Sequence, residues 1–185
     1  MDTGIKMAAQ PCPQLVSYEE FVGLAEKSAV DLELHFGQVV EMGRPNSRHV
    51  AIQHRIMELL RAALGPNWEV LTEMPYRALP QYESRSADVG VVAAQRYHSA
   101  IRQNYLPGSP EIVVEVFSPK SNTAAEMGEK AALCLGTGTF QFWVVDERLS
   151  VVTVTTAAGT LVFTRGQRIP LGLVDASIPV NDIFG

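Results

Sequence analysis

Pro110-Glu111-Ile112-Val113-Val114-Glu115-Val116-Phe117-Ser118-Pro119 is the stretch on which the fold turns. Its Ile-Val-Val-x-Val-Phe run suits a central strand buried on both faces, and Ser-Pro breaks it at once. An unpaired carboxylate inside such a strand costs several kcal/mol, so Glu115 must meet a cation, strong donors or water. It is either half of an ion pair or a ligand at the mouth of a site.

Downstream, Ser121, Asn122 or Thr123 caps a helix, and Thr123-Ala124-Ala125-Glu126 has capping-box form. Met127, Ala131, Cys134 and Leu135 make its apolar stripe, which runs to Gly136 and Gly138. Phe140 to Asp146 is a strand again, so a strand-helix-strand crossover and a parallel pair are expected. Val151 to Thr155 and Thr160 to Phe163 flank Ala157-Ala158-Gly159 as a hairpin. Arg165 to Gly185 is short strand and loop.

Upstream, Ala87 to Val92 is a strand with Asp88 near its start, and Trp68 to Met74 is another. Pro75 to Ser86 is expected as a polar loop. Arg96 to Ser109 is expected as a long exposed excursion that could line a substrate groove. Ile52, Ile56, Leu59, Leu60 and Ala63 give helical periodicity from His49 to Leu64, and Gly65-Pro66 stops it. His49, at the helix start, can approach a sheet edge. Leu32 to Met42 alternates around Gly37 as a hairpin, with Glu33, His35 and Glu41 expected on its solvated outer face. Ser17 and Glu20 cap a short helix from Tyr18 to Lys27. The order of elements predicts an α/β fold with helices on a mixed sheet, plus extra β-hairpins toward both termini.

The 185 residues suffice for one domain spanning 1–185, with residues 1–13 a loose leader lacking a signal-peptide apolar region. No apolar run is long enough for a membrane helix, so a cytoplasmic protein is expected. Cys12 and Cys134 are too few for a disulfide framework or a zinc site, and Cys134 reads as a core residue of its helix. A net charge of −5 argues against a protein that coats nucleic acid, but allows an enzyme with a local groove. Acids gathered round a metal would add to that negative total.

Asp88 opens one expected strand and Glu115 lies late in another. If the two strands are neighbours, the carboxylates converge at one end of the sheet and repel unless a cation joins them. Carboxylate oxygens with water suit Mg²⁺ or Mn²⁺ better than zinc. Phe117, which shares a face with Glu115, is no cation. Lys120 on the turn and Lys130 on the helix are the rival lysines. At 100° per residue Lys130 falls about 40° from Cys134 and about 60° from Met127, beside the sheet-facing stripe, whereas Glu129 points away. It can snorkel toward the strand end, or pair with Glu126 four residues back.

Ser86-Ala87-Asp88, the Pro110 to Pro119 stretch, Glu129-Lys130 and Gly138-x-x-x-Phe142-Trp143-Val144-Val145-Asp146 together resemble the Uma2 family, a restriction-endonuclease-like domain of the PD-(D/E)xK nuclease superfamily. Tyr18-Glu19-Glu20-Phe21, Gly37 and His49 extend the likeness over nearly the whole chain. Ala87, Cys134 and Thr139-Phe140-Gln141 depart from common family residues without removing an acid or the lysine. The resemblance implies a restriction-endonuclease-like α/β/α core. It implies Asp88, Glu115 and the Val116 carbonyl as ligands of Mg²⁺ (or Mn²⁺), Lys130 as the catalytic lysine, and DNA as the substrate. Cleavage of both strands would gain from a homodimer. The rival expectations are a catalytically silent nucleic-acid- or protein-binding module on the same fold, and a purely structural Glu115 ion pair.

Overall fold

The computed structural model describes residues 14–103, 105–118 and 123–185. The expected leader, Cys12 and Lys120 lie outside them.

Helix α1 (Tyr18–Ala25) is followed by β1 (Leu32–His35) and β2 (Gln38–Glu41), an antiparallel hairpin standing apart from the main sheet. Helix α2 (Ser47–Leu64) leads into β3 (Trp68–Arg77) and β4 (Arg85–Ala93). Helix α3 (Ala94–Ala100) and a short 3-10 turn precede β5 (Leu106–Pro107) and β6 (Ile112–Val116). Helix α4 (Ala124–Gly136) carries the chain to β7 (Gln141–Asp146). Then come β8 (Val151–Thr156), β9 (Gly159–Thr164), a second separate hairpin of β10 (Arg168–Leu171) with β11 (Ala176–Pro179), and α5 (Val180–Phe184).

Seven strands form one mixed sheet in the order β5-β3-β4-β6-β7-β8-β9. Strand β6 is buried at every position and central, as its apolar run requires. It is antiparallel to β4 and parallel to β7, with α4 as the crossover. Two cores sandwich the sheet. Ile56, Leu60, Ile112, Val114, Trp143 and Ile183 belong to the core under α2 and α5. Met74, Tyr76, Val113, Ala131, Cys134 and Phe142 belong to the core under α4. Each fully buried Val, Leu or Ile contributes roughly 1.5–3 kcal/mol. The result is the expected α/β/α layering.

The capping readings hold. Ser17 with Glu20 and Thr123 with Glu126 each form a reciprocal box, and Gly65 ends α2 at φ 75. The expected extra hairpins are present, and two expectations need correction. Pro75 lies within β3, paired with Ser86, because β5 reaches only Tyr76 and Arg77 and leaves β3 an edge strand at that point. Arg96 to Ser109 is largely ordered as α3, the 3-10 turn and β5. The hairpin of β8 and β9 extends the main sheet, and the C-terminal hairpin that stands apart is β10 with β11.

Candidate active site

The site begins where the sheet fails. Ladder β4–β6 runs from Val91 opposite Ile112 to Val89 opposite Val114, and one further step would pair Asp88 with Glu115. That step is missing. On the other side, β3–β4 pairing passes from Thr72 and Val89 to Met74 and Ala87, omitting Glu73 opposite Asp88. Glu73 takes a left-handed conformation there, at φ 49. Side-chain alternation fails at the same place, since Ala87 packs under α4 and Val89 under α2 although they are two residues apart.

Freed from both ladders, Asp88 uses its side chain where its backbone would have paired. Oδ2 accepts the Val116 amide at 2.6 Å. Oδ1 accepts Gln53 Nε2 at 3.0 Å and lies 3.1 Å from His49 Nε2. Gln53 also donates to Glu73 Oε1 at 2.5 Å. An ionised carboxylate offers about four lone-pair positions, so one stays open on Asp88. A strand residue's N–H and C=O point to the same side, so the Val116 carbonyl faces the Asp88 side as well.

Glu115 projects toward α4. Its Oε1 lies 2.8 Å from Lys130 Nζ, close enough for an ion pair but not aligned as a hydrogen bond, and Oε1 is otherwise buried without a donor. Lys130 also donates to the Ser86 carbonyl at 2.9 Å. Glu126 does not take Lys130, because its carboxylate is held at Thr123. Structure therefore brings Asp88, Glu115, Val116 and Lys130 together, and of the rival lysines it describes only Lys130.

Burial dominates the electrostatics. It pushes Glu115 up to about 8, with Asp88 adding to the rise and Lys130 opposing it. Burial also works against the Lys130 charge, but Glu115 and Glu33 outweigh it and hold the ammonium above the ordinary lysine value. The hydrogen bond to Asp88 raises His49 against its own burial. His49, only a candidate neighbour by sequence, is thus in contact with an acid of the site.

Contrary to the expectation of a solvated outer face, Glu33 is buried and His35 is half-buried. Glu33 is 5% exposed, accepts Ser86 N at 2.7 Å through Oε1, and holds His35 Nε2 at 2.6 Å through Oε2. The edge of the hairpin pairs with Ser84, just before β4, and Glu33 and Leu34, on opposite faces of β1, are both buried. Glu41 is exposed, as expected. Glu73 and Gln53 were also missed. Gln53 did leave a signal, sitting four residues after His49 and beside Ile52 and Ile56 on the inward helix face.

The donor set can be tested against a divalent cation. Two carboxylates and a carbonyl facing one gap are hard oxygen donors of the kind Mg²⁺ and Mn²⁺ use together with water. Glu115 Oε1 is buried, faces the Lys130 charge at 2.8 Å and accepts no aligned hydrogen bond, so it keeps lone-pair capacity for a cation. Among the described residues no three His, Cys, Asp or Glu side chains form a ready cage, so such an ion would keep several waters. On these terms the residues fit.

A mixed sheet between two helical layers, with two acids and a lysine at a break in its central strands, has the architecture of a nuclease-like fold. The chain belongs to the Uma2 family, whose model, described as "putative restriction endonuclease", matches residues 18–179. A crystal structure of a "putative nuclease belonging to DUF820" from Anabaena variabilis superposes with TM-score 0.77 at 19% identity, covering 91% of this chain and 97% of that one. At that identity the likeness shows the fold. No curated protein matches the sequence. Among the described residues no helix is long and apolar enough to cross a membrane.

Proposed function

We propose that the protein is a nuclease that hydrolyses phosphodiester bonds in DNA with Mg²⁺ or Mn²⁺. The observation that carries this is the meeting of Asp88, Glu115 and Lys130 where both ladders of β4 are interrupted. Asp88, Glu115 and the Val116 carbonyl would hold the ion. Bound there, it would supply the charge that polarises the scissile phosphate and favours deprotonation of the attacking water. Lys130 would orient that water or meet negative charge developing on the phosphoryl oxygens. His49 and Gln53 fix the Asp88 carboxylate from the α2 side.

Plasmid nicking with Mg²⁺ or Mn²⁺, against an EDTA control, tests this. Asp88→Ala, Glu115→Ala and Lys130→Met should each slow cleavage by about a hundredfold or more, the scale of other charge-stabilising groups. Equal cleavage by wild type and Glu115→Ala would remove the assignment.

One observation favours a silent binding module instead. Asp88 is already met by three donors and Glu115 by Lys130, so the site satisfies most of its charge without an ion. Calorimetric titration with Mn²⁺ separates the readings, and no binding at millimolar metal supports the silent one.

A further inference from the structure

We propose that Glu33, on the N-terminal hairpin, is the positioning residue that keeps Lys130 in place when Glu115 turns to another cation. This rests on the nuclease reading above.

The geometry is set by the gap that β6 leaves. Glu33 Oε1 takes the Ser86 amide at 2.7 Å, and Lys130 Nζ takes the Ser86 carbonyl at 2.9 Å. N–H and C=O of one strand residue face the same neighbour, so Glu33 and Lys130 stand together on one side of β4. That is where a longer β6 would have paired. His35 Nε2, 2.6 Å from Oε2, holds the second Glu33 oxygen and fixes the carboxylate. Lys130 is 6% exposed between Glu33 at 5% and Glu115 at 7%.

A buried carboxylate on a four-residue strand is a poor way to stabilise a hairpin, since an apolar side chain of similar volume is often as good or better. Its placement makes sense if Lys130 has to remain charged and aimed. An ammonium has three donors, of which Lys130 spends one on the Ser86 carbonyl, and once Glu115 bonds elsewhere the ion pair on its other side is lost. Ser86 and the Glu33 charge behind it remain. The hairpin then works as part of the site.

Glu33→Gln keeps an acceptor for the Ser86 amide and removes the charge. Two readouts apply, after thermal melting has established that the variant is folded. On plasmid DNA, kcat should fall by about tenfold with KM for DNA within twofold. In ¹⁵N-lysine-labelled protein titrated with Mg²⁺ alone, the Lys130 ammonium proton signal should be sharp in wild type and exchange-broadened in Glu33→Gln. Either readout left unmoved overturns the proposal. If Glu33→Gln does not fold, Glu33→Asp carries the test, because a carboxylate drawn back by one methylene should show both effects. Wild type that cuts no DNA sinks the nuclease reading alone, and the ammonium signal then decides whether Glu33 holds Lys130.

Discussion

Asp88 Oδ2 accepts the amide of Val116 at 2.6 Å although the two residues are not ladder partners. A side chain has taken over the work of a backbone carbonyl, and the strands part beyond it. The parting is what gives Glu115 and the Val116 carbonyl a gap to face.

Without metal, stability should fall as pH rises from about 4.5 to about 8. Glu115 is raised from 4.5 to about 8 by burial, so across that window the folded state holds a proton that the unfolded state has released. The folded state therefore binds more protons, and unfolding becomes easier with each step up in pH until the folded value is passed. Urea melts in EDTA at pH 5, 6.5 and 8.5 should show the slope, and Glu115→Gln should flatten it. An equal slope in the variant would place the titrating group elsewhere.

Metal binding should release a proton below pH 8, because a ligating carboxylate has to be ionised. Mn²⁺ affinity should rise by up to tenfold per pH unit toward pH 8 and level off above it. Calorimetry at pH 7 in two buffers of different ionisation enthalpy counts the proton directly. Identical heats in both buffers would contradict the assignment of Glu115 as a ligand.

Glu73→Gly should trade function for stability. Glu73 sits at φ 49, where an L residue is strained and glycine is not, so relief on the order of 1 kcal/mol is expected. The same change removes the carboxylate that holds the other side of Gln53. The midpoint of urea unfolding should rise while metal affinity and cleavage fall. A lower midpoint would show that the Gln53 contact outweighs the backbone strain.

The strand interrupted by Glu115, its crossover helix and its parallel partner were legible because apolar runs and capping boxes are local signals. Asp88 and Glu115 are legible as a pair if those strands are neighbours, whereas Lys130 stands as a rival of Lys120 until the family resemblance prefers it. The failure of both ladders at Asp88 was not legible, since a left-handed Glu73 leaves no trace in residue type. Nor was Glu33, because strict alternation looks the same whether a strand's second face meets water or β4. Pro75 was misread for a related reason. Pro75 is tolerated in β3 because β5 is short, and only the assembled sheet decides that.

Gly90→Ala should cost about 1–3 kcal/mol as overpacking. A Cβ at Gly90 would lie 2.5 Å from Met74 Sδ and 3.0 Å from Met74 Cβ, and Met74 is buried. A double-mutant cycle with Met74→Ala should recover most of the loss, because the clash lies with that one side chain. Additive losses in the cycle would mean that the glycine is needed for its backbone instead.

Among the described residues, the hairpin of β1 and β2 is bonded to the rest of the chain through the Leu34–Ser84 pair, the Phe36 amide on Glu83, the Gly37 amide on Tyr82, the Val16 amide on Gly37 and the Glu33–Ser86 bond, which spans 53 residues of sequence. Unfastening those few bonds leaves the seven-stranded sheet and both cores whole. The hairpin that carries Glu33 is therefore expected to open by a local equilibrium of its own, while the sheet and helix that carry Asp88, Glu115 and Lys130 stay folded. Hydrogen exchange would show it as a Ser86 amide that trades its proton long before the Val114 amide does.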